Sequence, residues 1–166
     1  MKIGLISDTH NNMDAVKRSY DIFEENKVDC VIHCGDLVDF DILKDIKIKT
    51  YFVYGNLDKP IKLSDDIFMN KNIDILGYVG ILNLDGKNIF ICHGNNEEIL
   101  NNAIESLKYD YIFTGHTHKN RDEIIYNSRI INPGAHNIIN TNEKDRTIAV
   151  LDIAEDNLKF FFLTNG

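Results

Sequence analysis

Short polar clusters follow five apolar runs of this sequence, and each cluster contains side chains that can bind a metal ion. The clusters are Asp8-Thr9-His10, Gly35-Asp36, Gly55-Asn56-Leu57-Asp58, His93-Gly94 and Gly115-His116-Thr117-His118. Carboxylate, imidazole and amide oxygen ligands suit a borderline divalent ion such as Mn²⁺, Fe²⁺, Ni²⁺ or Zn²⁺. A lone Asp or His after a strand is usually a cap or a turn residue, so the prediction of a metal site rests on all five clusters together.

The spacing within the clusters supports the same chemistry. Asp8 and His10 are two residues apart, as are His116 and His118. On an extended segment this spacing directs both side chains to the same side. Glycine beside four of the clusters permits sharp backbone turns and close approach.

The elements that must position these residues alternate in the first half of the chain. Apolar runs at 2–7, 28–33 and 51–54 read as buried strands, 13–26 has the apolar spacing of a helix, and 40–45 reads as a short helix. This order predicts parallel βαβ units. Segment 58–74 has mixed charge and no clear period, and we expect a surface excursion there.

The second half of the chain predicts mainly hairpins instead of βαβ units. Strands at 78–84 and 88–92 flank Asp85-Gly86, which predicts a hairpin with a tight turn. A helix is predicted over 97–107 and a strand over 111–114, followed by hairpins at 123–132, around Asn127-Ser128, and at 147–163. Ligands of open α/β sheets bind outside the carboxyl ends of the strands, so the five clusters are expected to meet in one place.

Composition limits the class of protein. The length of 166 residues predicts a single domain, 1–166, and no apolar run is long enough to span a membrane. The net charge of −8 argues against bulk nucleic-acid binding. Three cysteines without a secretory signal predict free, buried thiols and a cytoplasmic location.

The five motifs in this order resemble the calcineurin-like metallophosphoesterases. The short chain and Asn132-Pro133-Gly134 resemble the small archaeal and bacterial phosphodiesterase branch, the YfcE-like group. The motifs extend from residue 8 to about residue 134. The resemblance implies an α/β fold of two packed mixed β-sheets flanked by helices, a four-layer αββα sandwich.

The resemblance also implies two divalent metal ions per chain: Mn, Ni, Fe or Zn, with Mn favoured. Carried over from the family motifs, Asp8, His10 and His118 would hold one ion, Asn56, His93 and His116 would hold the other, and Asp36 would bridge them. Two ions about 3.5–4 Å apart can share a hydroxide that attacks phosphorus, with Asp36 and Asn56 in the catalytic centre.

Supporting roles are predicted for residues near the motifs. Asp58 is expected to assist catalysis by orienting a histidine ligand through its ring N–H. Asn12, Asn56 and His136 are candidate substrate contacts, although Asn12 equally fits a helix N-cap and His136 a surface loop. His33 fits either a support for a ligand or a buried, hydrogen-bonded histidine.

Two positions depart from the family pattern. Leu57 occupies the place where many members of the superfamily have a histidine that assists the leaving group, and where the small branch often has cysteine. Leucine cannot donate a proton, so substrates with poor leaving groups should react slowly. Ala135 replaces an expected serine and removes one hydrogen bond to phosphate or ligand.

The predicted function is metal-dependent hydrolysis of a phosphodiester. The alternatives are a phosphomonoesterase with the same mechanism and a non-catalytic protein-binding scaffold resembling the retromer subunit of this fold. A scaffold would be free to lose His93, His116 and His118, which this chain keeps. Exposed hairpin edges could pair two copies, and a homodimer is the expected assembly if they do.

Overall fold

The computed structural model describes residues 1–59, 70–136 and 141–163. Their strands form two mixed sheets. The strands of the first sheet are β1 (Lys2–Ile6), β2 (Cys30–His33), β3 (Thr50–Phe52), β4 (Ile73–Ile75), β10 (Thr147–Asp152) and β11 (Asn157–Phe162), in the order β11-β10-β1-β2-β3-β4. Strands β1 to β4 are parallel, and β10 and β11 are antiparallel to their neighbours.

The second sheet has the order β5-β6-β7-β9-β8 among the described residues. Its strands are β5 (Val79–Leu84), β6 (Lys87–Cys92), β7 (Tyr111–Phe113), β8 (Arg121–Ile125) and β9 (Ser128–Asn132). Strands β6, β7 and β9 are parallel, whereas β5 and β8 pair antiparallel as the outer members of hairpins.

The side chains along each strand point alternately into two different hydrophobic layers. Ile3 and Leu5 of β1 pack against Ile89 and Ile91 of β6 in the core between the sheets. The opposite face of the first sheet packs on helix α1 (Met13–Glu25) through Phe23, and the outer face of the second sheet packs on helix α2 (Glu97–Glu105). The predicted four-layer αββα sandwich is confirmed.

Most predicted elements are confirmed, including the 3-10 helix at Phe40–Asp45. The β5–β6 turn has positive φ at both Asp85 and Gly86, as a tight hairpin turn requires. The β8–β9 turn is displaced by one residue from the prediction, because Ile125 pairs with Ser128 and leaves Tyr126 and Asn127 as the loop.

Segment 58–74 was only partly predicted. Residues 60–69 lie outside the described residues, so the expected surface excursion stays a prediction there. Strand β4 begins within the segment and extends the parallel sheet by pairing with β3. Three residues are too few to show a hydrophobic period, which is why the sequence did not reveal this strand.

The three cysteines are free and buried, as predicted. Burial raises the pKa of Cys30 to about 12 and that of Cys92 to about 11, so both thiols stay protonated. No helix among the described residues is long and apolar enough to cross a membrane.

Candidate metal centre

The loops that follow β1, β2, β6 and β7 are joined by backbone hydrogen bonds at one end of the sandwich. Asp8 N donates to Gly35 O over 2.9 Å and His10 N donates to Asp36 O over 3.0 Å. In the second sheet, Gly115 N donates to His93 O over 2.8 Å. The Asp8 carboxylate connects the two sheets, because its Oδ2 accepts a 3.0 Å bond from His116 N.

Two glycines permit these loops to touch. A Cβ on Gly55 would collide with the carboxylate of Asp36, and a Cβ on Gly115 would collide with the Ser7 hydroxyl and the Asp8 carboxylate. Neither contact can relax easily, since Asp8, Asp36 and Ser7 are all buried. These positions therefore require glycine for space rather than for backbone flexibility.

The residues proposed to bind metal have unusual backbone angles. Five of them have positive φ, between 44° and 67°: Asp8, His10, Asp36, His116 and His118. Left-handed conformations are uncommon for residues other than glycine and cluster at functional sites. The residues spaced two apart therefore lie in tight turns, and our expectation that they lie on extended segments was wrong.

One cluster of possible ligand atoms comprises Asp8, His10 and His118. Asp8 Oδ1 lies 3.2 Å from His118 Nε2 and 3.8 Å from His10 Nε2. The two histidine Nε2 atoms are 3.1 Å apart. This is the set of three residues predicted to hold one metal ion.

A second cluster comprises Asp8, Asp36 and His93, all of them buried. His93 Nε2 lies 3.3 Å from Asp36 Oδ2 and 3.9 Å from Asp8 Oδ1. Asp8 is therefore the carboxylate common to both clusters in this structure. His116 is exposed and its ring lies 5.2 Å from that of His93, centroid to centroid, so the paired histidines of the last motif face different clusters.

Charge pairing shifts the titration of these groups. Interaction with the Asp8 carboxylate raises the pKa of His118. Burial is the largest single influence on both His93 and Asp36 and alone would lower the first pKa and raise the second. Their mutual interaction, together with the Asp8 charge near His93 and the Leu57 N–H on Asp36, nevertheless raises the pKa of His93 and lowers that of Asp36. Burial dominates at His10 and lowers its pKa.

A divalent cation fits this arrangement. Asp8 Oδ1 and His93 Nε2 are buried and form no hydrogen bond within the part of the chain that is described. Buried polar atoms are nearly always satisfied, so two unsatisfied ligand atoms facing the same space indicate an ion site. The donor set of carboxylate and imidazole groups suits the borderline ions predicted from the sequence.

Asp58 acts on the backbone and not on a histidine, which corrects our prediction. Its Oδ2 accepts hydrogen bonds from Asp36 N and Gly55 N, each 2.7 Å long, and its Oδ1 accepts one from Val38 N at 2.8 Å. His93 Nδ1 instead contacts the Cys34 carbonyl oxygen at 2.8 Å. The Asp58 carboxylate thus joins the loops that follow β2 and β3.

Asn12 is the helix N-cap. Its side-chain oxygen accepts from Ala15 N and its amide donates to His136 O, so the side chain is occupied by the protein and the predicted substrate contact is not supported. His136 is buried, with 3% exposure, and the expectation of a surface loop was wrong. Burial lowers the pKa of His136 to about 4.

His33 is a buried, hydrogen-bonded histidine, the second of the two roles considered for it. Its Nδ1 accepts from Gly35 N at 3.2 Å, which leaves Nε2 to carry the proton toward Thr9 Oγ1 at 3.3 Å. Burial lowers the pKa of His33 to about 3. The neutral ring therefore joins the loops after β1 and β2.

Two positioning residues were missed. Ser7 Oγ donates a 2.5 Å hydrogen bond to Asp8 Oδ2, and Asn132 Nδ2 donates a 2.7 Å bond to the carbonyl oxygen of Gly115. Both are fully or almost fully buried polar residues at the end of a strand. A polar residue at the end of an apolar run was the available signal.

The model of the calcineurin-like phosphoesterase superfamily domain matches residues 1–156. The chain belongs to the calcineurin-like phosphoesterase superfamily. Phosphodiesterase MJ0936 of Methanocaldococcus jannaschii is 33% identical over 138 residues, which cover 81% of this chain and 83% of that protein. The resemblance stated from the motifs is confirmed.

Solved structures agree with the family. The solved structure of an archaeal phosphodiesterase has a TM-score of 0.87 and 30% sequence identity to this chain. The match covers 98% of this chain and 100% of the phosphodiesterase chain. Two others share the fold: YfcE, a phosphoesterase from E. coli (TM-score 0.69, 18% identity, 99% and 100% covered), and Vacuolar Protein Sorting 29 from Cryptosporidium parvum (TM-score 0.64, 20% identity, 98% and 96% covered).

Replacement of Asp58 by asparagine tests the backbone role of this carboxylate. Asp58→Asn places an NH₂ group where the structure needs an acceptor, so the free energy of unfolding should fall by about 1–3 kcal/mol. Asp39→Asn is the control, because the exposed Asp39 caps the 3-10 helix through one hydrogen bond that asparagine can replace. Equal urea midpoints for the two variants would contradict the role.

The buried neutral His33 should make stability depend on pH. The folded-state pKa of about 3 is below the ordinary histidine pKa of 6.5, so the unfolded chain binds the proton first as the pH falls. From about pH 6.5 to pH 4.5, this one group should lower the free energy of unfolding by up to about 1.4 kcal/mol per pH unit.

His33→Asn keeps a polar group at this position and does not titrate in that range. Urea unfolding of the metal-free proteins should show a shallower pH dependence for His33→Asn than for wild type. Parallel pH profiles would show that His33 makes no contribution.

Proposed function

We propose that this protein is a metal-dependent phosphodiesterase that uses two divalent ions. The observation that carries the proposal is the pair of ligand clusters sharing Asp8, in which buried Asp8 Oδ1 and His93 Nε2 form no hydrogen bond among the described residues. The similarity to Phosphodiesterase MJ0936 supports a diester substrate.

The proposed ligand sets are those implied by the family motifs. Asp8, His10 and His118 would hold one ion and Asn56, His93 and His116 the other. Asp36 would lie between the ions, although Asp8 is the carboxylate that the two clusters of the structure share. Asn56 and His116 are exposed at the open side of the site, where a second ion and the substrate can approach. We favour Mn²⁺ in both positions.

When bound, the ions would lower the pKa of a shared water and neutralise the charge of the phosphate oxygens. The protein holds the groups that would bind them. Leu57 N fixes Asp36 Oδ1 with a 2.9 Å hydrogen bond, and the Cys34 carbonyl oxygen orients the His93 ring. These contacts place both ligands before substrate arrives, which lowers the cost of reorganisation during the reaction.

The sequence left two alternatives to a phosphodiesterase. A phosphomonoesterase would use the same ligands, and only its substrate would differ. Vacuolar Protein Sorting 29 from Cryptosporidium parvum has the same fold, so the fold does not exclude a scaffold. A scaffold has no need for the partly buried cluster of Asp8, His10 and His118 or for the buried cluster around His93. The retained clusters favour an enzyme over a scaffold.

Hydrolysis of bis(p-nitrophenyl) phosphate tests the proposal. Protein stripped of metal should be inactive, and activity should return with Mn²⁺ or another transition ion. His93→Ala removes a buried ligand and should reduce the rate by about 100-fold or more, since even loss of an outer partner costs about 10–100-fold.

The phosphomonoester p-nitrophenyl phosphate, assayed in parallel, distinguishes the two esterase activities. Urea unfolding of metal-free His93→Ala confirms that the variant is folded. Absence of activity with every metal in folded wild-type protein would reject the enzyme and favour the scaffold.

Leu57→His tests the missing proton donor. Leu57 is 50% exposed, so a histidine can be accommodated at this position. The variant should accelerate hydrolysis of a methyl phosphodiester, whose methoxide is a poor leaving group, by up to about 10²–10⁴-fold. The rate of hydrolysis of the p-nitrophenyl diester should stay nearly unchanged. Leu107→His is the control, because Leu107 is also exposed but follows α2 outside the site. The same acceleration for both diesters would contradict this explanation.

A further inference from the structure

Two tyrosines form an aromatic pair at the end of the sandwich that carries the metal centre, because Tyr54 follows β3 and Tyr78 follows the parallel strand β4. The ring centroids of Tyr54 and Tyr78 are 5.5 Å apart, and the ring planes are tilted by 55°. Tyr78 is 57% exposed. Tyrosine is enriched at binding interfaces, because its ring offers apolar area while its hydroxyl group stays hydrated.

The pair is held by the fold. Tyr54 N donates a 2.8 Å hydrogen bond to Gly77 O, which fixes the chain segment that carries Tyr78. The Tyr54 ring also packs on Phe40 and Phe52, at centroid distances of 6.0 and 5.7 Å. Tyr54 is therefore a rigid support, and Tyr78 presents its exposed face to solvent.

The same segment continues into the metal centre. Tyr54 directly precedes Gly55, whose N–H shares the Asp58 Oδ2 acceptor with the N–H of Asp36. The chain then reaches Asn56 and the half-exposed Leu57, whose N–H binds Asp36 Oδ1. The aromatic pair is thus connected to a proposed metal ligand through short hydrogen bonds.

We infer that Tyr54 and Tyr78 form a stacking surface for a planar aromatic group carried by the phosphate ester. The inference rests on the proposed function and adds a substrate class to it: esters in which a nucleobase or an aryl ring accompanies the phosphate. The metal ligands bind the phosphate, and the tyrosines select the group attached to it. Aromatic stacking tolerates different rings, because every planar ring offers a π-face.

Phosphonates test this selection without hydrolysis, since their P–C bond is not cleaved. Methylphosphonate, cyclohexylphosphonate and phenylphosphonate carry the same anionic group and differ in the substituent. Isothermal titration calorimetry with Mn²⁺-loaded protein should show phenylphosphonate binding about 5- to 10-fold more tightly than the other two. A nucleoside phosphonate added as a fourth ligand distinguishes a nucleobase, which would bind more tightly than phenyl, from any aryl ring.

Variants at Tyr78 assign the effect. Tyr78→Ala should abolish the preference for phenyl and leave methylphosphonate affinity unchanged, whereas Tyr78→Phe should retain the preference. Tyr126→Ala is the matched control, because Tyr126 is 72% exposed on the β8–β9 turn.

The outcomes separate the two proposals. Equal affinity for the three simple phosphonates, or a phenyl preference that survives Tyr78→Ala, overturns the stacking surface alone. Failure of methylphosphonate to bind Mn²⁺-loaded protein would count against the phosphoesterase site and, with it, against this inference.

Discussion

The metal centre depends on close approach between backbone loops that follow different strands. Gly55 touches the Asp36 carboxylate, and Gly115 touches Ser7 and Asp8, at distances that leave no room for a side chain. Because each loop fills the space beside the next, the positions of the ligands are set jointly. The left-handed backbone angles at the ligands persist for the same reason, since surrounding hydrogen bonds hold each turn in place.

Electrostatics in this region favour a cation. Asp8, Asp36 and Asp58 are all buried in a chain whose net charge is −8. Burial of carboxylates is costly unless they are paired or hydrogen-bonded. Asp58 is satisfied by three backbone N–H groups, whereas Asp8 keeps one oxygen without a hydrogen bond in the described structure. The two carboxylates therefore have different roles: Asp58 supports the loops, and Asp8 is available to a metal ion.

The fold alone does not determine the activity. Phosphoesterases and Vacuolar Protein Sorting 29 share this sandwich, so only the residues of the site can distinguish an enzyme from a protein of the same fold with another role. The residues around the candidate metal centre differ in chemistry from its ligands. Leu57 provides an apolar side chain in place of a proton donor, and the Tyr54–Tyr78 pair provides an aromatic surface at the same end of the sandwich. These residues, and not the ligands, are where substrate preference is expected to arise.

The sequence by itself determined the strands and the polar clusters at their ends. Runs of apolar residues have a period that identifies strands, and parallel strands bring their carboxyl ends together, so convergence of Asp8, Asp36 and His93 was predictable. The order of the motifs was also sufficient to identify the family. Local chemistry indicated a helix cap as one of two roles for Asn12, since capping involves residues only three positions apart, but it did not decide between the cap and a substrate contact.

Only the tertiary structure decided which partner each buried polar group would have. Asp58 binds amides 20 and 22 residues away as well as that of nearby Gly55, and His136 is buried behind Asp8, whose carbonyl oxygen accepts its N–H. His116 and His118 separate toward different clusters because left-handed turns replace an extended segment. Such contacts depend on the relative placement of whole loops, and sequence periodicity describes only the direction of side chains within a single element.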